Sequence, residues 1–291
     1  EHYLASKAQL FLALPPGGTA VLNAGDENAG LLAEVIPPGV RLLWFAGPGR
    51  AQDREVDLRV TSVHPGWSGL HMTLESRAPW SFPPELRSPN LAAVQAENLA
   101  AALLAAVALG VPPQQAAQAL ATCPPPPGRF EWVPGPDEGP RVVVDYAHAP
   151  EALRAALADA RALQPRSLFL VIGAGGDADA SKREPLGRAA AAADQVWLTS
   201  DNPRSEDPEA IAAAVRRGLP TGHPCRVVLD RAAAITEAIA AAGSGDLVLI
   251  AGKGHESQQV FADRTLPFSD REVAARALGR ALTLRSDLAQ I

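Results

Sequence analysis

The chain has 291 residues, 47% hydrophobic and 20% charged, with a formal net charge of −6. That length suits two domains and a sizeable core, whereas the acidic balance speaks against a nucleic-acid binder, which needs a basic face. No run of 18 or more uncharged apolar residues occurs, so no transmembrane helix is expected, and no signal peptide is recognised. Cys123 and Cys225 read as reduced thiols of a cytoplasmic protein, with a disulfide between them left open.

Residues 1–14 carry a helical pattern with Lys7 on it, broken by Gly17-Gly18. Thr19-Ala-Val-Leu-Asn23 reads as a strand, Asp26 as the cap of a helix over 29–35, and Arg41-Leu-Leu-Trp-Phe45 as the next strand. Between 56 and 74 the pattern alternates across Pro65-Gly66, which predicts a hairpin at a sheet edge. Pro79, Pro83, Pro84 and Pro89 mark a loop. Helices are expected over 91–109 and 113–120. The stiff run Cys123-Pro-Pro-Pro-Pro127-Gly128 places the domain boundary at 126/127, since proline runs extend rather than coil. The chain opens on Glu1 and contains no G-x-x-x-x-G-K-[ST]. It is expected to be a piece of a longer protein whose upstream part supplies any phosphate-binding loop.

Residues 127–291 alternate strand and helix. Strands are expected at 141–145, 167–172, 196–199, 225–229 and 246–251, and helices at 150–163, 182–193, 208–217, 231–242 and 270–282. That rhythm predicts an α/β fold with a Rossmann-like, doubly wound sheet, whose ligands bind at the strand carboxyl ends. Four loops should converge there: Asp145, Gly173–Asp177, Asp201–Arg204 and Gly252–Glu256.

Those loops carry the candidate chemistry. Asp201-Asn202-Pro203-Arg204 offers an acid for an ammonium and a guanidinium for bidentate carboxylate capture, and an amino acid presents both groups. The same residues also read as a turn followed by a helix start at Asp207-Pro208. In Asp145-Tyr146-Ala-His148 the acid could meet a ribose and either ring a base; as a local pattern, Asp145 could equally cap a helix and His148 lie on the surface. Gly252-Lys253-Gly254-His255-Glu256 crowds ionisable groups between glycines after a buried strand, a costly arrangement that makes sense at a site. Lys7, taken alone, is a solvated lysine.

Taken together the motifs resemble the Mur ligase family. They are Tyr3-Leu-Ala-Ser-Lys7, Ala20-Val-Leu-Asn23, Pro127-Gly-Arg129-Phe-Glu131, Asp145-Tyr-Ala-His-Ala-Pro150, Gly175-Gly-Asp177, Ser200-Asp-Asn-Pro-Arg-Ser-Glu-Asp-Pro208, Ala251-Gly-Lys-Gly-His-Glu256 and Phe268-Ser-Asp-Arg271, in the family's order over nearly the whole chain. The resemblance is strongest to members that add the third amino acid of the peptidoglycan stem. It implies residues 1–126 as the C-terminal part of a central, P-loop-type ATP-binding domain and 127–291 as the amino-acid-binding domain. It also implies a cytoplasmic, monomeric enzyme using ATP and Mg2+ on UDP-MurNAc-L-Ala-D-Glu and a diamino acid, with no nucleic-acid or membrane partner. Lys7 matches the family's carbamylated, magnesium-binding lysine. Asn98, Arg129, Asp145, Tyr146 and His148 match the ATP site, and Asp201, Asn202, Pro203, Arg204, Gly252 and Glu256 the amino-acid pocket.

Two positions depart from the family pattern. Ala178 stands where Gly-Gly-Asp is usually followed by an arginine that contacts the incoming amino acid, and Gly25 replaces one acid of an Asp-Asp pair. Loss of a bidentate contact costs about 1.5–3 kcal/mol if nothing replaces it, and Lys182 and Arg183 lie near enough in sequence to do so. The expected third amino acid is meso-diaminopimelate, with L-ornithine or L-lysine as alternatives. A folylpolyglutamate-type ligase and a non-catalytic amino-acid-binding relative are the competing readings. The piece alone is expected to be inactive.

Overall fold

The computed structural model describes residues 2–51 and 53–279, which form two compact units meeting at Pro124 and Pro125.

The first unit opens with α1 (His2–Leu12) and is built on a five-stranded sheet in chain order: β1 (Thr19–Asn23), β2 (Arg41–Ala46), β3 (Leu58–Gly66), β4 (Gly69–Ser76) and β5 (Glu85–Ser88). The first three strands run parallel and the last two antiparallel. α2 (Ala29–Glu34) makes the first crossover, and α3 (Gln95–Ala108) covers β1–β3, its Leu103 and Leu104 sharing one core with Leu58, Val60 and Met72. α4 (Pro113–Thr122) packs between α3 and β5.

Three expectations need correction here. The β3–β4 hairpin is not the edge: β5 lies outside it, within the segment read as a proline loop, because Pro83, Pro84 and Pro89 flank the strand without interrupting it. Asp26 does not cap α2. Its Oδ1 accepts from Asn28 N at 2.8 Å, one residue short of the helix, and Asn28 holds the cap position. Residues 91–94 are a turn, not the first turn of α3.

The second unit is a six-stranded sheet ordered β10-β9-β8-β11-β7-β6. β7 (Arg141–Asp145), β8 (Leu168–Ile172), β9 (Gln195–Leu198), β10 (Cys225–Val227) and β11 (Leu247–Ala251) are parallel. β6 (Glu131–Val133), not anticipated in the sequence, adds antiparallel to β7. α5 (Pro150–Ala162), α6 (Arg183–Ala190) and α7 (Pro208–Arg216) lie side by side, as do α8 (Arg231–Ala241) and α9 (Asp270–Ala277). Strand residues alternate between faces: Val142, Val144, Phe169, Val171, Val248 and Ile250 meet Ala234, Ile235, Ala238 and Val273 of α8 and α9. Their neighbours Val143, Leu170 and Leu249 face the opposite way and are equally buried. Burial on both sides explains the unbroken Val/Leu/Ile runs. A two-stranded ribbon, β12 (Gln258–Val260) with β13 (Thr265–Pro267), follows β11 and was also not anticipated. Ser269 caps α9, accepting from Glu272 N at 3.3 Å, and the expected stretch 280–282 of that helix lies outside the described residues.

Candidate functional site

Because β7, β8, β9 and β11 are parallel neighbours, their carboxyl ends share one edge of the sheet. The chain leaves β8 for β9 and β10, then returns to lay β11 on the other side of β8. That reversal opens a crevice between the β8 and β11 loops, where open α/β sheets bind ligands. A cleft of about 320 Å³ lies there, lined by Tyr146, His148, Gly175, Ala178, Asp179, Lys182, Asp201, Asn202, Arg204, Gly252 and Glu256 among others.

Backbone proximity sets the cleft's shape. Gly252 has φ +115°, and a Cβ there would lie 2.7 Å from Asp201 Oδ2, so only glycine lets the β11 loop close on the carboxylate. Gly128, at φ +64°, crosses the β11 loop so tightly that a Cβ would sit 2.1 Å from His255 N. The β8 and β9 loops are sewn together. Gly176 N donates to Asn202 O at 2.8 Å, Asp177 N to Glu206 Oε1 at 2.7 Å, and Ser205 N to Asp177 Oδ2 at 3.2 Å. Arg204 sits at φ +51°, its backbone N donating to Val260 O at 3.1 Å and its guanidinium to Gly176 O. The Arg204 residue as a whole is exposed, at the cleft wall.

Beneath the cleft lies a network of buried charges. Lys253 is completely buried; its Nζ donates to Asn202 Oδ1 and Glu256 Oε2, each at 2.9 Å, and lies 3.9 Å from Asp201 Oδ1. Asn202 Nδ2 also donates to Glu256 Oε2, at 2.9 Å. Deeper still, Arg231 grips Asp270 with two hydrogen bonds of 2.7 Å and reaches Ala251 O at 3.0 Å. Burial raises the Asp201 carboxyl above its ordinary range, against the pull of Arg231 and Lys253. Burial also works to raise Glu256, but hydrogen bonds from Lys253 and Asn202 outweigh it and hold that carboxyl low. An ionised Glu256 beside a reluctant Asp201 makes a receptor for an ammonium, and Arg204 on the same cleft suits a carboxylate.

At the β7 end, Asp145 spends both oxygens on backbone: Oδ2 accepts from Phe130 N and Oδ1 from Ala147 N, each at 2.8 Å. Tyr146 lies between the Arg129 guanidinium, 4.6 Å from its ring centre, and the His255 ring at 5.2 Å. His148 stands edge-on to Tyr146 at 4.7 Å. These rings and the cation form a platform suited to a flat, electron-rich ligand. Lys7 is exposed on α1, and Asn98 is exposed on α3 with its Nδ2 on Gln95 Oε1 at 2.9 Å; both belong to the first unit. Among the described residues, no three His, Cys, Asp or Glu side chains gather as a metal site, and no helix is long and apolar enough to cross a membrane.

Around Ala178 the two candidate substitutes differ. Arg183 is buried and committed, donating to Glu206 Oε1 at 2.7 Å and Gly175 O at 3.2 Å. Both line the cleft, and Lys182 is exposed there with Asp179 opposite it at 3.9 Å. The sequence does not tie Arg231 to Asp270, which stands in the Phe268-Ser-Asp-Arg271 motif, and does not mark Gln259, whose Nε2 donates to Asp201 O at 2.9 Å. Lys253 was noticed only as a lysine between glycines.

Residues 128–254 match the Mur ligase, glutamate ligase domain family. A UDP-N-acetylmuramoyl-L-alanyl-D-glutamate–2,6-diaminopimelate ligase from Alkalilimnicola ehrlichii is 42% identical over 278 residues, covering 95% of this chain and 54% of the relative. Residues 128–254 form a Mur ligase C-terminal domain. A second such Mur ligase, from Synechococcus elongatus, is 40% identical over 279 residues, 96% of this chain and 54% of the relative. A solved structure of a ligase with the same description superposes with a TM-score of 0.63 at 32% identity, over 95% of this chain and 56% of that one. Folylpolyglutamate synthase from Thermotoga maritima shares the fold, with a TM-score of 0.59 at 19% identity over 80% of this chain and 50% of that one. The chain thus spans about half the length of the curated Mur ligases it matches.

Proposed function

We propose that this chain is the amino-acid-selecting part of an ATP-dependent ligase. In this reading the enzyme joins meso-diaminopimelate to the D-Glu carboxylate of UDP-MurNAc-L-Ala-D-Glu, in the bacterial cytoplasm. Residues 127–291 hold the amino acid and residues 1–126 complete the ATP-binding domain. The observation that carries the reading is a single cleft with Arg204 on its wall and the Asp201–Asn202–Glu256 cluster at its floor. A diamino dicarboxylic acid offers the complementary pair: a distal carboxylate for the arginine and a distal ammonium for Glu256. Relatives at about 40% identity described as diaminopimelate ligases support the same substrate.

The chemistry is the activation of a carboxylate. The D-Glu carboxylate takes the γ-phosphoryl group of ATP, releasing ADP. The deprotonated amine of the diamino acid then attacks the acyl carbon, and phosphate leaves as the amide forms. What the cleft contributes is orientation: anchoring the far end of the substrate leaves its reacting amine directed outward, and fixed geometry replaces a collision. The platform of Arg129, Tyr146 and His148 suits the base and phosphates of ATP, while Asp145 shapes it from below through Phe130 and Ala147. In this reading Lys7, exposed on α1, carries a carbamate. That carbamate would offer a hard oxygen donor of the kind Mg2+ takes. Bound Mg2+ would supply charge neutralisation on the phosphates.

A second reading, ligation of L-lysine or L-ornithine, is favoured by Ala178, since of the two cations beside it in the cleft Arg183 is held by Glu206, leaving Lys182 to replace the missing arginine. Calorimetric titration of the chain with meso-diaminopimelate, L-lysine and L-ornithine separates the two. Tightest binding of diaminopimelate, weakened in Arg204→Ala, is the expected result. Preference for lysine or ornithine would replace the substrate, and absence of binding by all three would defeat the reading of this cleft as the selecting site.

A further inference from the structure

We propose that Lys253 is a positioning residue: from beneath the cleft it fixes the amide of Asn202 and turns one chosen oxygen of Glu256 toward the incoming diamino acid. The inference rests on the amino-acid cleft just described and assigns work to a residue that does not line it. Lys253 follows Gly252 at φ +115° and precedes Gly254 at φ +52°, so the backbone bends on both sides of it while its side chain lies wholly out of solvent. A buried ammonium is costly unless its donors are satisfied. Here two hydrogen bonds of 2.9 Å satisfy it, both to groups that do line the cleft.

Donor and acceptor counting gives the consequence. Asn202 Oδ1 has two acceptor sites, and Lys253 Nζ and Val260 N, at 2.9 and 3.0 Å, take both. The amide cannot flip without facing its NH2 toward two donors, so Nδ2 is forced onto Glu256 Oε2. Oε2 then receives Nδ2 and Nζ together. Glu256 Oε1 accepts no hydrogen bond among the described residues and is left to meet a ligand ammonium. Lys253 also separates the Glu256 charge from Asp201, 3.9 Å from its Nζ. Without it two carboxylates would face each other across the floor, with Arg231 the other nearby cation and Asp270 already holding that.

Lys253→Met keeps the length and removes the donors. Side-chain amide resonances of Asn202 report the first step directly. In the wild-type chain its Nδ2 protons should exchange slowly, and in Lys253→Met they should shift and exchange fast. Should that variant fail to fold, Glu256→Ala, altered at the partly exposed end of the network, must move the Asn202 amide and Lys253 ammonium resonances together. Unchanged Asn202 resonances in the folded variant overturn the proposal whether or not any ligand binds. Calorimetry with meso-diaminopimelate reports the second step. Lys253→Met should weaken binding about tenfold or more, as loss of charge-assisted hydrogen bonds does. In a Glu256→Gln background the same change should cost less than about threefold, because a residue acting through another has nothing left to act through. Equal losses in both backgrounds, with circular dichroism unchanged, would make Lys253 a purely structural residue. A wild-type chain that binds no diamino acid would defeat the substrate reading while the resonance test still decides the positioning role.

Discussion

Replacing Asp270 by alanine tests what holds the cleft floor in place. Arg231 and Asp270 are both fully buried, and their side chains share two hydrogen bonds of 2.7 Å. The same guanidinium holds Ala251 O at 3.0 Å, the last carbonyl of β11 before Gly252. Asp270→Ala leaves that guanidinium buried without its counter-charge, for which the cost is about 3–5 kcal/mol. Asp270 is also an acid in the first turn of α9, but that favourable placement is worth only about 0.3–1 kcal/mol and cannot account for such a loss. Against a typical total of about 5–15 kcal/mol, the second unit should open at markedly lower urea, and hydrogen exchange should accelerate first in segments 198–204 and 247–256. The paired replacement Arg231→Met with Asp270→Leu removes both charges and should be far milder than Asp270→Ala alone. Urea unfolding read by segment-resolved exchange measures all three chains, so that the first unit does not mask the second. A loss below about 1 kcal/mol for Asp270→Ala, or a double variant as weak as the single, would refute the idea that an unpaired buried arginine is the cost.

Asp201→Asn should raise the melting temperature at neutral pH. The folded-state pKa of Asp201 lies above its unfolded value, so the folded chain holds the extra proton as pH rises past about 4, and the stability tied to that proton is lost through the folded pKa. The gain should shrink as pH falls toward about 4 and be gone below it, and a variant no more stable than wild type at pH 7 would contradict the burial argument. Arg204→Ala should cost about 1.5–3 kcal/mol of diaminopimelate binding and leave the weaker binding of lysine unchanged, since only the former offers a distal carboxylate; equal losses for both ligands would show that the guanidinium has another role. Gly252→Ala must place a methyl 2.7 Å from Asp201 Oδ2 at a φ that L residues avoid, and should lower both stability and affinity by about 1 kcal/mol or more. Retention of both would mean the β11 loop yields more readily than its contacts suggest.

Burial on both faces made the central strands of the second unit readable, because Val142-Val-Val144 and Leu168–Ile172 need no alternation to declare themselves. The convergence of four loops followed from topology alone. The short edge strands β5 and β6 did not show, since four or three residues flanked by prolines or a glycine turn carry too little periodicity. In the site, cleft-facing residues were legible because they interrupt apolar runs with charge. The supporting layer was hidden for a different reason. Arg231 and Asp270 are 39 positions apart, each sits at a helix start where a polar residue is ordinary, and nothing local marks them as partners. Lys253 showed its oddity through its glycines but not its target, since Asn202 lies 51 positions away. Asp145, read as a ribose partner, is placed with both oxygens on backbone amides, a use that sequence could not separate from ligand contact.

The fastening of Arg204 to the β12 strand bears on how this cleft could be re-tailored. Its backbone N bonds to Val260 O, Val260 N bonds to Asn202 Oδ1, and Gln259 holds Asp201 O. The segment 201–204 is therefore half of a composite part, and 258–260 is the other half. Transplanting the first segment alone into a relative would deliver the side chains without the scaffold that aims them. A working graft has to carry both, as a cassette. Natural changes of amino-acid preference meet the same restriction: exchanging side chains within the fastened frame is open to single mutations, whereas altering the length of either segment demands a matching change in the other.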